Sequence, residues 1–282
     1  MNNYKNNHDK RNNSKKQYLG KKKNISASVE TGSWEIAEED FYQRQNRQEE
    51  PIRLNKYLSE MGVCSRRQAD ALVEAGRVFV DGERAVMGMK VSGREKIEVD
   101  HKPIRKKENR VLIAFHKPAG VVCTTSKIDK DNIIDYINYG QRIYPVGRLD
   151  KASEGLILLT NQGELSDKIL RGSNYHEKEY IVTVNKKITP EFLKNMSKGV
   201  PILDTVTRPC TIERIDDRTF RIVLTQGLNR QIRRMCEYFQ YRVVKLVRVR
   251  VMNIRLGRLK VGTYRNVTEA EYNELLRLLD KK

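Results

Sequence analysis

Asp150 ends the run Gly147-Arg148-Leu149-Asp150 and lies between two apolar stretches, residues 143–146 and 155–160. A carboxylate on a short turn between two core strands is costly to desolvate. It needs a cation or donors beside it, and such sites are often chemical. The chain has four His, none near Asp150 in sequence, so histidine acid–base chemistry is poorly supported. A carboxylate nucleophile is the more economical reading. Three other stretches could join it. Lys117-Pro118-Ala119-Gly120 reads as a strand-ending turn, and Tyr180 opens a strand in HEKEYIVTV. Gly227 breaks a strand just before a helix that carries Arg230, Gln231, Arg233 and Arg234. Taken singly, these are a turn, a strand aromatic and a solvated helix start. Residues 220–265, however, hold twelve Lys or Arg and one acid, Glu237, a bias able to neutralise several phosphates.

The elements that would position these residues follow from pattern. Residues 155–160 lack an alternating polar face, so both sides of that strand are expected to be covered. VLIAFHKPAGVVCTT, from Val111, reads as a buried strand, a Pro-Gly turn and a second strand. Strands and helices then mix without regular alternation. That predicts an α+β domain with a mainly antiparallel mixed sheet rather than a doubly wound one. Upstream, Ile52, Leu54, Tyr57, Leu58 and Met61 recur at helical spacing and Gly62 ends that helix. Ser65 caps a second helix over residues 66–74, with Leu72 and Val73 inward, before a strand at 78–80 and an Asp81-Gly82 turn. Four segments result: a charged tail (1–50) expected to be disordered, a small domain (51–101), a basic linker (102–110) and a large domain (111–282).

Lys+Arg number 55 against 36 Asp+Glu, a net charge of +19, which points to a polyanionic partner. The four cysteines form no Cys-x-x-Cys pair and join no His cluster, so no metal site is expected, and unpaired thiols suit a reducing cytoplasm. No apolar stretch is long enough for a membrane span. The tail is basic over 1–28 and acidic over 29–50; it reads equally well as an RNA-holding arm or a solvated tail. No heptad or apolar stripe argues against a monomer, and no helix-turn-helix argues for DNA.

RLNKYLSEMGVCSRRQADALVEAGRVFVDG resembles the alpha-L RNA-binding motif over about residues 52–100. That likeness implies a small α/β domain holding structured RNA through phosphates and shape, with Arg53, Lys56, Arg66 and Arg67 as contacts. HKPAG, GRLDKASEGLILLTNQGEL, EKEYIVTV and GLNRQIRRM together resemble the pseudouridine synthases of the ribosomal small-subunit type, over residues 111–275. Within that family the chain is most similar to the class named for uridine 2604 of large-subunit (23S) ribosomal RNA. Its long charged leader departs from the class pattern. The resemblance implies isomerisation of uridine to pseudouridine in RNA, without a cofactor. The substrate would be 23S ribosomal RNA near the peptidyl transferase region, with a transfer RNA anticodon or a non-catalytic assembly role as alternatives. It makes Asp150 the group acting on the ribose, as nucleophile at C1′ or base at C2′. It makes Arg233 its cationic partner, able to pair bidentately, and Tyr180 the ring that stacks on the uracil. Arg148, Lys151, Arg230 and Gln231 would contact RNA, Leu149 and Ile232 would wall the base, and Lys117 would be structural or phosphate-binding.

Overall fold

A computed structural model describes residues 50–104, 110–171 and 175–280. The disordered tail expected over 1–50 falls, except Glu50, outside the described residues, as does most of the basic linker.

The small domain is built from local signals. Helix α1 (Leu54–Glu60) is preceded by β1 (Ile52–Arg53), so the helical repeat begins two residues later than its apolar spacing predicts. Helix α2 (Arg66–Glu74) starts where Ser65 places it. The Ser65 hydroxyl accepts from the Gln68 amide while the Gln68 side chain accepts from the Ser65 backbone. Val78–Val80 (β2) pairs with Glu83–Arg84 (β3) and with Ile97–Val99 (β5), which pairs with Lys102–Pro103 (β6). Lys90–Val91 (β4) pairs with β1. Leu54, Leu58, Ala69, Val73, Val78, Val80 and Ile97 form the core between them.

The large domain is one nine-stranded sheet. Its strands are β7 (Leu112–Lys117), β8 (Tyr144–Val146), β9 (Glu154–Thr160), β10 (Lys178–Val184), β13 (Thr211–Arg214), β14 (Thr219–Leu224), β15 (Val243–Val251), β16 (Ile254–Arg255) and β17 (Tyr264–Asn266). A short hairpin, β11 (Pro201–Ile202) with β12 (Thr205–Val206), lies apart. The order runs β13-β14-β10-β15-β9-β7-β17, with β8 beside β9 and β16 beside β15. The β9–β15 pair is parallel and the other pairings in the sheet are antiparallel, which makes the fold the expected α+β. Every residue of β9 after Glu154 is buried, as its unbroken apolar run requires. The second strand expected after the Pro-Gly turn is reduced to one bridge, Val122 to Asn132, where the Val122 amide donates to the Asp131 carbonyl and its carbonyl accepts from the Ile133 amide across the loop 123–130.

Helices α3 (Ile133–Ile137), α4 (Gly163–Leu170), α5 (Pro190–Ser197), α6 (Gln231–Tyr238) and α7 (Glu269–Asp280) complete the domain. Two apolar clusters result. One gathers β10, β14, α5 and α6 around Phe192, Met196, Phe220 and Met235; the other gathers β7, β9 and α3 around Phe115, Ile133 and Ile157. Tyr180 packs against both, so it stands at their seam. The parallel pairing of β9 with β15 closes that seam, with Gly155 opposite Arg248. Gly155 has φ +115°, and a Cβ there would overlap the Arg248 carbonyl, so only glycine admits this approach.

The described residues form one compact unit in which the small domain touches the large one. Arg142 Nη1 donates to the Ser59 carbonyl at 3.1 Å, Lys56 Nζ reaches Glu164 Oε1 at 3.4 Å, and Arg66 Nη2 lies 3.9 Å from Asp167 Oδ2.

Candidate active site

The loop from 147 to 153 leaves β8 and enters β9. Gly147 supplies the positive φ (+75°) that starts the turn. The buried Leu149 donates its amide to Cys123 Sγ at 3.4 Å. Lys117 ties the far side. Its ammonium, fully buried, donates to the carbonyls of Pro118 (2.7 Å), Ser153 (2.8 Å) and Lys151 (3.4 Å). Gly120 adds a bond from its amide to the Lys151 carbonyl at 2.7 Å. Burial depresses the Lys117 pKa, against the opposing pull of Cys123, Asp150 and Glu154. Of the two roles expected for Lys117, the structural one fits: with no exposed surface it cannot meet a phosphate.

Helix α6 faces this loop. Arg230 adopts the left-handed conformation (φ +50°) at its N-cap, and the Leu228 amide donates to Gln231 Oε1 at 3.0 Å. Arg230 Nη1 lies 3.9 Å from Asp150 Oδ2 and Arg233 Nε lies 3.8 Å from the same oxygen. The bidentate fork implied for Arg233 is not formed. Its two Nη atoms are divided between Ser153 Oγ (3.3 Å) and the Val243 carbonyl (3.4 Å), which leaves the buried Nε toward the carboxylate without a hydrogen bond. Asp150 keeps about a third of its side chain exposed (32%), so a substrate can reach it.

Asp150, Ser153 and Arg230 line a cleft of about 450 Å³, with Tyr180, Lys178 and Arg248 on its sheet side and Arg148 at the loop. That volume suits a nucleotide-sized ligand. Among the described residues Asp150 is the single acid of the lining, beside Arg148, Arg171, Lys178, Arg230 and Arg248. The apolar Leu149, Ile232, Leu224 and Leu246 supply the walls. Tyr180 is the third residue of β10 rather than its first, and Lys178 shares its face.

The remaining expected contacts separate by position. Arg148 is exposed, and Lys151 is exposed but paired with Asp131 at 3.2 Å. Gln231 is buried, its amide turned back to Leu228 and Met235. Arg53 and Arg67 are exposed on the small domain, whereas Lys56 and Arg66 reach acids of α4. Sequence reasoning passed over Ser153, Lys178 and Arg248. Ser153 lay inside a quoted motif, but nothing local marks a serine as a clamp. Arg248 had a signal: a cation in the apolar strand VVKLVRVRV, on the same face as Leu246.

Known proteins share the sequence and fold of this chain. Residues 111–238 match the model of the RNA pseudouridylate synthase family, and residues 52–97 match the S4 domain. The Dual-specificity RNA pseudouridine synthase RluF of Escherichia coli K12 is 52% identical over 231 residues, covering 81% of this chain and 80% of that protein. The Salmonella typhi RluF is likewise 52% identical, and the Bacillus subtilis ribosomal large subunit pseudouridine synthase B is 34% identical over 238 residues, 97% of its length. A solved pseudouridylate synthase superposes with a TM-score of 0.59 at 26% identity, covering 79% of this chain and 99% of that one. With its motifs, its fold and a 52% relative matched over most of both lengths, the chain belongs to the RNA pseudouridine synthases and isomerises uridine in RNA.

Proposed function

We propose that the chain converts a specific uridine of large-subunit (23S) ribosomal RNA, of the position-2604 type, to pseudouridine, with Asp150 acting on the ribose. The observation that carries this reading is the Asp150 carboxylate, held beside Arg230 and Arg233 in a basic cleft that also contains Tyr180. The uridine flips into the cleft, at a cost of about a few kcal/mol that is smallest in a loop or bulge. Arg148 stands at the loop to fill the gap left in the RNA.

Two routes fit an ionised carboxylate. In the first, Asp150 attacks C1′ and the C1′–N1 pair departs to N1; C5 of the turned uracil then attacks C1′ and expels the carboxylate. In the second, Asp150 takes the C2′ proton as N1 leaves, giving a glycal; C5 bonds to C1′ as that proton returns to C2′. Either way the C5 proton is removed and N1 gains one, so atoms balance without a redox partner. Arg233 steadies the carboxylate from one side, Tyr180 stacks on the base, and its hydroxyl relays a proton. The S4-like module recruits the RNA through Arg53 and Arg67. The dual specificity in the names of the relatives supports a second RNA substrate, for which a transfer RNA anticodon is the candidate. The reading places a monomer in the cytoplasm and favours folded RNA over duplex DNA at fixed salt.

Pseudouridine mapping of large-subunit RNA and transfer RNA tests it, in cells lacking the protein and complemented with wild type or Asp150→Ala. One site lost, restored by wild type and not by the variant, is the expected result. Purified Asp150→Ala should fall by more than about a thousandfold in turnover while keeping its RNA affinity. Substantial residual turnover would move the chemistry to another residue.

A further inference from the structure

Four buried side-chain polar atoms among the described residues have no hydrogen-bond partner, and two belong to arginines at this cleft: Arg233 Nε and Arg248 Nη2. A buried donor without an acceptor is expensive, and folded proteins retain few of them. Arg233 Nε has Asp150 3.8 Å away; among the described residues Arg248 Nη2 has no such counter-ion. Arg248 is 3% exposed, yet it lines the cleft. Its Nε is fixed by a 2.7 Å bond to the Leu156 carbonyl. The antiparallel register sets it directly opposite Tyr180, on the same face. Gly155 lets the Arg248 backbone come this close to β9. Lys178, on the same face and two residues from Tyr180, is also in the lining. Its pKa is pushed below the usual lysine range by burial and then by the Arg248 charge, as expected of two cations sharing one end of a cleft.

We propose that Arg248 is a catalytic residue that donates Nη2–H to a carbonyl oxygen of the flipped uracil and stabilises the negative charge that collects there when the C1′–N1 bond breaks. This rests on the uridine-isomerising reading and adds to it the group that holds the detached base. As the bonding pair moves to N1, charge spreads to O2 and O4; Arg248 offers a fixed donor in a dry site and transfers no proton. Two features favour the base over a phosphate. Arg248 lies directly opposite Tyr180, the residue that stacks on the base, and it is deeper than Arg148 and Arg230.

The test compares wild type, Arg248→Gln and Arg248→Lys on one RNA stem-loop carrying either uridine or 5-fluorouridine at the target. Arg248→Gln should lose about a hundredfold or more in single-turnover rate on uridine, with RNA affinity within about twofold. Fluorine makes uracil a better leaving group that needs less help, so the loss in glycosidic cleavage should shrink by about tenfold on 5-fluorouridine. Equal losses on both bases, or a folded variant of unchanged rate, would overturn the assignment. If Arg248→Gln does not fold, Arg248→Lys keeps the charge without the fixed planar donor; an undiminished rate there would overturn it equally. A wild type that makes no pseudouridine in this RNA would defeat the functional reading itself, whereas an active wild type with an indifferent Arg248 defeats only this assignment.

Discussion

Asp150 is held at both ends of its loop, and each tie makes a different demand on substitution. Arg233, on α6, uses its three nitrogens toward two other segments: Nη2 donates to Ser153 and Nε faces Asp150 in the same loop, while Nη1 donates to the Val243 carbonyl of β15. A lysine has the charge but one nitrogen, so it cannot bridge loop, helix and strand together. Arg233→Lys should lower kcat by about a hundredfold with little change in RNA affinity, measured by single-turnover conversion and filter binding. Unchanged turnover would remove Arg233 from the site. Lys117 acts from behind the loop, where three carbonyls converge on its ammonium. Lys117→Met keeps the volume but removes the donor shared by those carbonyls, leaving Lys151 only its bond from Gly120, and frees residues 151–153 to shift. A displacement of about 1 Å at a reacting group costs about a hundredfold in rate. That loss should appear in kcat, together with a lowered melting temperature; a variant that melts earlier but turns over normally would limit Lys117 to folding.

Among the elements, β10 carries a different face to each side of the sheet. Tyr180 and Lys178 point toward the cleft, while Glu179 lies between Arg250 (2.7 Å from Nε to Oε2) and Arg221 (3.5 Å from Nη1 to Oε1) on the other face. Burial would raise the Glu179 pKa, but the hydrogen bonds and charges of Arg250 and Arg221 overcome it and hold the carboxyl below its ordinary range. A carboxyl depressed in the folded state stabilises fully above its unfolded pKa, about 4.3, and loses that contribution as pH falls through its lower folded value. Glu179→Gln should therefore destabilise by about 3 kcal/mol at neutral pH and show a flatter acid limb in denaturant melts from pH 7 to 3. Parallel acid limbs for the two proteins would show that Glu179 contributes nothing through its charge. Since β10 presents Tyr180, the same variant tests how far the strand's packing sets the position of the stacking ring.

For the whole molecule, the decisive relation is between the small domain and the cleft. Lys56, Arg66 and Arg142 join the two across α1, α2 and α4 through pairs that are well exposed, so each is worth about 0–1 kcal/mol and weakens with salt. Arg53 and Arg67 are exposed on the same small domain. Arg53→Ala with Arg67→Ala should weaken RNA binding uniformly and reduce the slope of log K against log salt by about 1 to 2. Turnover at saturating RNA should stay at the wild-type rate; a fall in that rate would give these arginines a part in positioning the target rather than recruiting it.

Much of this was legible in the chain because the signals were local. The Asp150 turn shows as a carboxylate between two unbroken apolar runs, and α2 shows as Ser65 with Gln68 three residues on. The antiparallel α+β class follows from strands and helices that do not alternate, and the net charge alone points to a polyanion. The rest needed tertiary structure. Alternation says which face of β15 a residue occupies but not which strand lies beside it, so Arg248 could be placed inward and yet not opposite Tyr180. Nothing near Lys117 tells that its ammonium meets carbonyls of the Asp150 loop, a contact between segments that meet only when β7 pairs with β9. The same holds for Arg233. The family resemblance marked it as a cation for Asp150, but the competing acceptors Ser153 and Val243 divide the fork. Sequence determined the fold class, the preference for a polyanion and which segments are buried, because composition and periodicity are properties of the chain. Only the folded sheet decided which groups share a hydrogen bond, because register and long-range pairing fix distances that no local pattern contains.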